Sequence, residues 1–230
     1  MYDIVFISYG ETNADNNWEM LKNQFPMAKR IKDVEGIHQA HIAGAKKCFT
    51  KMFWVVDGDA ELSTGFQFDH EVSEWDLETV HVWRSLNPVN DLEYGYGGVK
   101  LLPRKLTLDM DISKPDMTTS ISDKFKAMPE ISNITAFNTD EFSAWRSAFR
   151  ECVKLASRTI NGQVLAETES RLETWCTVAN EGVAFGNYVL HGAQVGKHFG
   201  TVHKDNPEML KLINNFSWLE EQFNDYADSV

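Results

Sequence analysis

The stretch Met52-Phe53-Trp54-Val55-Val56-Asp57-Gly58-Asp59-Ala60-Glu61 decides the fold class. An unbroken apolar run that stops at an acidic turn reads as a strand buried on both faces, the pattern of parallel sheets. Just before it, residues 37–49 carry Ile37, Ala40, His41, Gly44, Ala45 and Cys48 at helical spacing, which predicts a helix with a small-residue face. Residues 28–31 read as a short strand. Residues 16–25, with Trp18, Leu21 and Phe25, read as a helix closed by Pro26. Residues 3–8 form a further apolar run that ends at Tyr9-Gly10. The order βαβαβ implies an α/β sheet with right-handed crossovers.

Downstream of the acidic turn the pattern changes. Residues 79–84 alternate as a strand does, and Val99-Lys100-Leu101-Leu102 reads as a strand ending at Pro103. Asn87-Pro88-Val89-Asn90 and Tyr94-Gly95-Tyr96-Gly97-Gly98 read as loops. So do residues 111–124, which contain Pro115 and many Ser and Thr. The stretch between 124 and 138 carries no assigned element. From Asn138-Thr139-Asp140-Glu141, which resembles a helix cap, helices are expected over 141–159, 166–178 and 181–196. A short helix starts at Pro207, and an amphipathic segment carries Phe216, Trp218, Leu219 and Phe223. The reading is one domain over 1–230, with an α/β half to about 110 and a mainly helical half from about 111.

Bulk properties bound the function. With 22 basic and 34 acidic residues the net charge is −12, which opposes indiscriminate binding to nucleic acid but leaves a local basic groove open. No apolar run approaches the ~20 residues of a membrane span, so no membrane partner is expected. Cys48, Cys152 and Cys176 form no CxxC pair and no zinc pattern. They read as reduced, buried thiols. With no basic n-region at the N-terminus, a cytoplasmic location is expected.

Two carboxylates one residue apart at a strand end can reach one divalent cation. Open α/β sheets bind ligands outside the carboxyl ends of their strands. Mn²⁺ or Mg²⁺ on Asp57 and Asp59 would bridge a diphosphate, with Gly58 giving the backbone room. The alternative is a solvated turn.

Residues 36–61, from Gly36-Ile37-His38 through Gly44-Ala45 to Asp57-Gly58-Asp59, resemble the nucleotide-sugar half of GT-A glycosyltransferases. A closer likeness runs through Asn87–Asn90, Tyr94–Pro103 and Trp145-Arg146-Ser147-Ala148-Phe149-Arg150-Glu151-Cys152. These blocks look like blocks in glycosyltransferase-like proteins of tailed phages, some of which glycosylate hydroxymethylated cytosines in phage DNA. The resemblance spans about residues 3–223. It implies a GT-A-like, Rossmann-type mixed sheet in the N-terminal half and helices in the C-terminal half. It also implies a nucleotide-sugar donor of UDP type, a DNA hydroxymethyl acceptor and, for a phage-encoded chain, the host cytoplasm. Asp57 and Asp59 would serve the metal. Ser8, Tyr9, Gly10 and Glu11 would lie near the nucleoside, and Gly58, Gly97, Gly98 and Lys100 would join the donor site. Many relatives of this type take a third metal ligand from a C-terminal histidine. His191, beside Gly192 and Gly196, is the leading choice over His198 and His203. The alternative for these glycines is a helix-packing surface.

Other candidates stay open between function and structure. Arg146, Arg150, Lys154 and Arg158 recur every four residues and form a slanting basic stripe, either a phosphate track or a solvated, ion-paired face. The glycine-rich loop at 94–98 either brings N–H groups to a substrate or makes a turn. An inverting transfer needs a carboxylate base, for which Asp116, Asp140 and Glu151 are candidates. Two rival readings remain: a sugar nucleotidyltransferase, whose Gly-rich, Arg-containing loop is poorly matched by Tyr9–Asn13, and a binding module without turnover.

Overall fold

The computed structural model describes residues 1–95, 97–160 and 163–227, and the side chains of these residues up to 225. The chain forms two compact units. The first comprises Met1–Pro88, Glu93–Ile112 and Ser120–Ala136; the second comprises Val89–Leu92, Ser113–Thr119 and Phe137–Val230.

The first unit is built on one mixed sheet. Its strands are β1 (Asp3–Ser8), β2 (Lys29–Lys32), β3 (Met52–Asp57), β4 (Ala60–Leu62), β5 (Val80–Leu86), β6 (Glu93–Tyr94), β7 (Val99–Pro103) and β8 (Phe125–Thr135). The spatial order is β2-β1-β3-β7-β5-β8-β4, with β6 on β5. β1 is parallel to both β2 and β3, whereas β7 runs antiparallel to β3 and to β5. The expected α/β sheet with a helical remainder is therefore present, with the strands at 3–8, 28–31, 52–56, 79–84 and 99–102 displaced by two residues at most.

Alternation assigns the two faces of the sheet. Ile4, Phe6, Trp54, Val56, Val99 and Leu101 point to one face and form a core with Leu21 of α1 (Ala14–Gln24), Phe66, Phe68 and Trp83. Val5, Ile31 and Phe53 point to the other face, against Gly44 of α2 (Ile37–Lys47). A Cβ on Gly44 would lie 3.2 Å from Val5 Cγ1, so the small-residue face of the helix serves close packing on the sheet. Because β1 leads to β2 on one side and β3 returns on the other, the strand order reverses between β1 and β3.

Several elements differ from expectation. β8 lies beyond residue 110 yet belongs to the sheet, pairing parallel to β5 with a register shift after Trp83↔Met128. The shift falls beside Pro129, which cannot donate to a ladder. The segment 111–124, read as irregular, contains a short helix α4 (Met117–Ile121), preceded in the chain by α3 (Arg104–Leu108).

The second unit contains α5 (Glu141–Ser157), α6 (Leu165–Thr177), α7 (Gly186–Val202), α8 (Pro207–Lys211) and α9 (Phe216–Ala227). α7 starts five residues later than its spacing predicts, because Gly182 and Phe185 hold left-handed backbone ahead of it. Trp145, Phe149, Val153, Leu210, Ile213 and Leu219 form the core of this unit. Gly192, Gly196 and Gly200 of α7 face α5: a Cβ at these positions would lie 2.3 Å from Trp145 O, 2.3 Å from Phe149 O and 2.6 Å from Val153 O. The glycines around His191 therefore set a helix contact, the alternative that the sequence offered for them.

Candidate functional site

The β1 and β3 ends carry the acidic turn. β3 ends at Asp57, and β4 begins two residues after Gly58 to carry the chain back. Asp57 lies opposite Ile7 in the register, so Ser8 and Asp57 end neighbouring strands on opposite faces. The position is the topological switch point, where open α/β sheets leave a crevice.

Local contacts tie the loop after β1 to this turn. Glu11 folds back to accept a 2.7 Å hydrogen bond from Tyr9 N. A Cβ on Gly58 would lie 2.5 Å from Glu11 Oε2 and 3.1 Å from Ser8 Cβ, so only glycine fits there without displacing Glu11. Asn17 Nδ2 donates to Gly58 O at 3.0 Å, and Asn13 Nδ2 donates to Ala136 O at 3.1 Å. Arg30 of β2 donates to Ser8 Oγ from Nε and Nη2 at 3.2 and 3.1 Å and pairs with Asp15 at 2.6 Å. Gly10 is exposed with φ +81. Ser8, Glu11 and Gly58, all expected near a donor, are thus together, while Asp57 ends the neighbouring strand on the opposite face.

Asp57 has a partner that its own motif does not show. Lys100 Nζ lies 2.7 Å from Oδ1 and 2.8 Å from Oδ2 and also donates to Gly97 O. The lysine side chain is 4% exposed and the aspartate 35%. The glycine-rich loop supplies carbonyls to this arrangement: Gly97 O meets the ammonium, and Gly98 O accepts from Asp57 N at 2.9 Å. A Cβ on Gly98 would strike Asn133 Nδ2 at 2.4 Å. Asn133 is itself held by Ser85 and Ser132. Tyr94 is buried on β6, and Tyr96 lies outside the described residues.

The expected metal does not suit these residues. A divalent ion coordinated by Asp57 would stand about 4 Å from the ammonium, where charges of +2 and +1 repel by roughly 8 kcal/mol at an effective dielectric of about 20. Asp59 shares the turn, with its carbonyl accepting from Ala136 N at 2.8 Å. Among the described residues no group of three or more His, Cys, Asp and Glu converges as a metal ligand set.

The remaining candidates lie in the second unit, each with a local role. His191 Nδ1 accepts from Trp145 Nε1 at 2.9 Å, which takes up one ring nitrogen, and burial lowers its pKa. Asp140 caps α5 by accepting from Ser143 N at 2.7 Å. Glu151 is buried and paired with Lys154 at 2.9 Å. Asp116 accepts from Thr118 Oγ1 at 2.6 Å and Thr119 N at 3.0 Å. Arg146 lies over the rings of Phe142 and Phe216, and Arg150 donates to Asn214 Oδ1 at 3.0 Å. Arg158 is the left-handed cap of α5. Arg146, Arg150 and Lys154 of the basic stripe are thus engaged within their own unit. Sequence reading missed Arg30, Asn17 and Asn133, which come from a strand, a helix and a strand distant from the acidic turn.

The fold defines a mixed α/β protein with a Rossmann-like sheet, whose strand order reverses between β1 and β3. No protein-family model matches the chain, and no curated protein matches it. Among solved structures it is similar to HddC from Yersinia pseudotuberculosis, with 15% identity, 57% of this chain and 92% of that chain covered, and a TM-score of 0.36. A likeness this distant carries no inference about activity. No helix among the described residues is long and apolar enough to cross a membrane.

Proposed function

We propose that the chain binds a nucleotide sugar at the β1/β3 switch point and transfers its sugar to an acceptor hydroxyl. The observation that carries this reading is that Ser8, Glu11 and Gly58 on one face, and Asp57 with Lys100 on the other, stand at the strand ends where the strand order reverses. Crevices at such a point bind nucleotides in open α/β sheets. The resemblance of residues 36–61 to the nucleotide-sugar half of GT-A glycosyltransferases supports the choice of donor. The loop Ser8–Glu11 would face the nucleoside, with Gly58 leaving the room that the Glu11 carboxylate occupies.

The acceptor proton needs a base, and a positioned carboxylate supplies ~10²–10⁴-fold in rate. Asp116→Asn, Asp140→Asn and Glu151→Gln sort the candidates: loss of the base lowers turnover by about that factor and leaves donor affinity unchanged. A hydroxymethylated DNA base as acceptor rests on the phage-like blocks alone. It would have to be flipped out of a duplex, against the repulsion of a chain carrying −12.

The test is incubation of the purified chain with UDP-sugars and hydroxymethylated DNA, read by mass spectrometry of the bases and by nucleotide analysis. A hexose or pentose mass shift with release of UDP supports transfer. Release of pyrophosphate points instead to nucleotidyl transfer. Failure of UDP and UDP-sugars to bind in calorimetry sinks the donor assignment.

A further inference from the structure

We infer that this strand end takes its ligand without a divalent metal ion, because the Lys100 ammonium is the resident cation of Asp57. The ligand in this statement rests on the nucleotide-sugar reading above; the state of Asp57 does not.

Three observations carry it. Lys100 Nζ contacts both oxygens of Asp57 and the carbonyl of Gly97, so all three ammonium donors are used. The lysine is built into β7 opposite Val55 of β3, with Val99 and Leu101 buried on either side. Its charge is therefore held by the fold and does not dissociate as a bound ion does. Asp59 is the second carboxylate of the turn, and no group of three or more His, Cys, Asp and Glu converges there among the described residues.

A metal could reach Asp57 only by displacing the ammonium. The displaced charge would have to find new partners beneath the surface, since the side chain is 4% exposed. Burying a charge without a partner is strongly unfavourable. The helix on the same face offers His41, whose Nδ1 is already 2.7 Å from Ile37 O. Its ring is kept neutral, first by burial and then by the lysine's own positive charge. A neutral imidazole does not replace a carboxylate. Asp57 thus acts through Lys100 as a positioning device that holds the Gly97–Gly98 loop against the end of β3.

The decisive experiment is a manganese titration of the full chain, read by the electron paramagnetic resonance signal of free Mn²⁺. The wild type is expected to leave that signal unchanged at micromolar Mn²⁺. Lys100→Gln is expected to gain one bound ion through the freed Asp57, a readout that a packing role alone would not produce. Uptake of one Mn²⁺ by the wild type, lost in Asp57→Asn, overturns the inference; the wild-type arm decides even if Lys100→Gln fails to fold.

Calorimetry with UDP provides the second arm. Equal affinity in excess chelator and in millimolar Mn²⁺ supports metal-free binding, and a gain of about tenfold or more with Mn²⁺ overturns it. Absence of UDP binding under both conditions rejects the nucleotide reading, and the manganese titration still decides the state of Asp57.

Discussion

The side chains with the most to say are those that meet partners far away in the chain. Asp57 and Lys100 are 43 residues apart and share a nearly buried ion pair. Removing one partner of a fully buried pair costs about 3–5 kcal/mol. Because Asp57 is partly open to water, Asp57→Asn is expected to cost about 2 kcal/mol, measurable as a shift in the urea midpoint. Cys176 gives a second test. A hydrogen bond from the Cys152 thiol lowers its pKa to about 7, against opposition from burial and with help from Lys197. Burial pushes Cys152 well up and Cys48 up to about 12. Iodoacetamide is therefore expected to label Cys176 ahead of Cys152 and Cys48, with a midpoint near pH 7 but slowly, since all three thiols are buried. Cys152→Ala should move that midpoint up toward the ordinary value of 9.0. Uniform labelling of all three thiols only at alkaline pH would contradict this. The acidic turn was legible in sequence as a cluster of carboxylates at a strand end. Its neutralising lysine was legible only as a strand residue, since nothing local to position 100 announces Asp57.

Among the elements, the contact between α5 and α7 is the most sensitive to single atoms. Gly196 lies so close to α5 that a Cβ would fall 2.3 Å from Phe149 O, a backbone atom that cannot rotate away. Gly196→Ala should force the helices apart and destabilise the chain by about 1–3 kcal/mol, the range for overpacking. Denaturant unfolding measures it. A change below about half a kcal/mol would show that the helices slide without strain. At the strand end, Gly58→Ala meets Glu11 Oε2 at 2.5 Å, a flexible side chain. The expected result is a small change in stability and a loss of UDP affinity, because Glu11 must release Tyr9 N. Helical spacing in 141–159 and 166–178 located α5 and α6 within two residues at each boundary. It placed the start of α7 too early, since the left-handed backbone at Phe185 has no signature in a residue that is not glycine.

For the chain as a whole, buried histidines set the acid limit of stability. Burial lowers His41 to about 3 and His81 to about 4, from 6.5. Nδ1 of each faces a carbonyl, of Ile37 and Thr79, and Nε2 of each is buried without a hydrogen-bond partner. Between pH 6.5 and 4 the unfolded chain binds protons that the folded chain refuses, so stability falls as pH falls through that window. Two such groups give a slope of about 2.7 kcal/mol per pH unit, and His81→Asn should remove roughly half of it. Urea midpoints measured at pH 7, 6 and 5 test the slope. Asp3 acts in a lower window. Its pKa is about 2, because bonds from Lys29, Phe49 N and Thr50 outweigh the opposing effect of burial, so its contribution is lost as pH falls from 3.8 toward 2.

Residue order was enough to read the unbroken apolar runs of β1 and β3 and the helical periods of α1, α2, α5 and α6, because a strand buried on both faces and a helix buried on one each leave a pattern that the chain itself carries. It was enough to put an acidic turn at the end of a buried strand. Folding settled the rest: the entry of β8 into the sheet, the glycines of α7 against the carbonyls of α5, and the lysine on Asp57. Each of these is a meeting of distant segments, fixed by strand register and helix docking, and no local period encodes which side chain will stand opposite another.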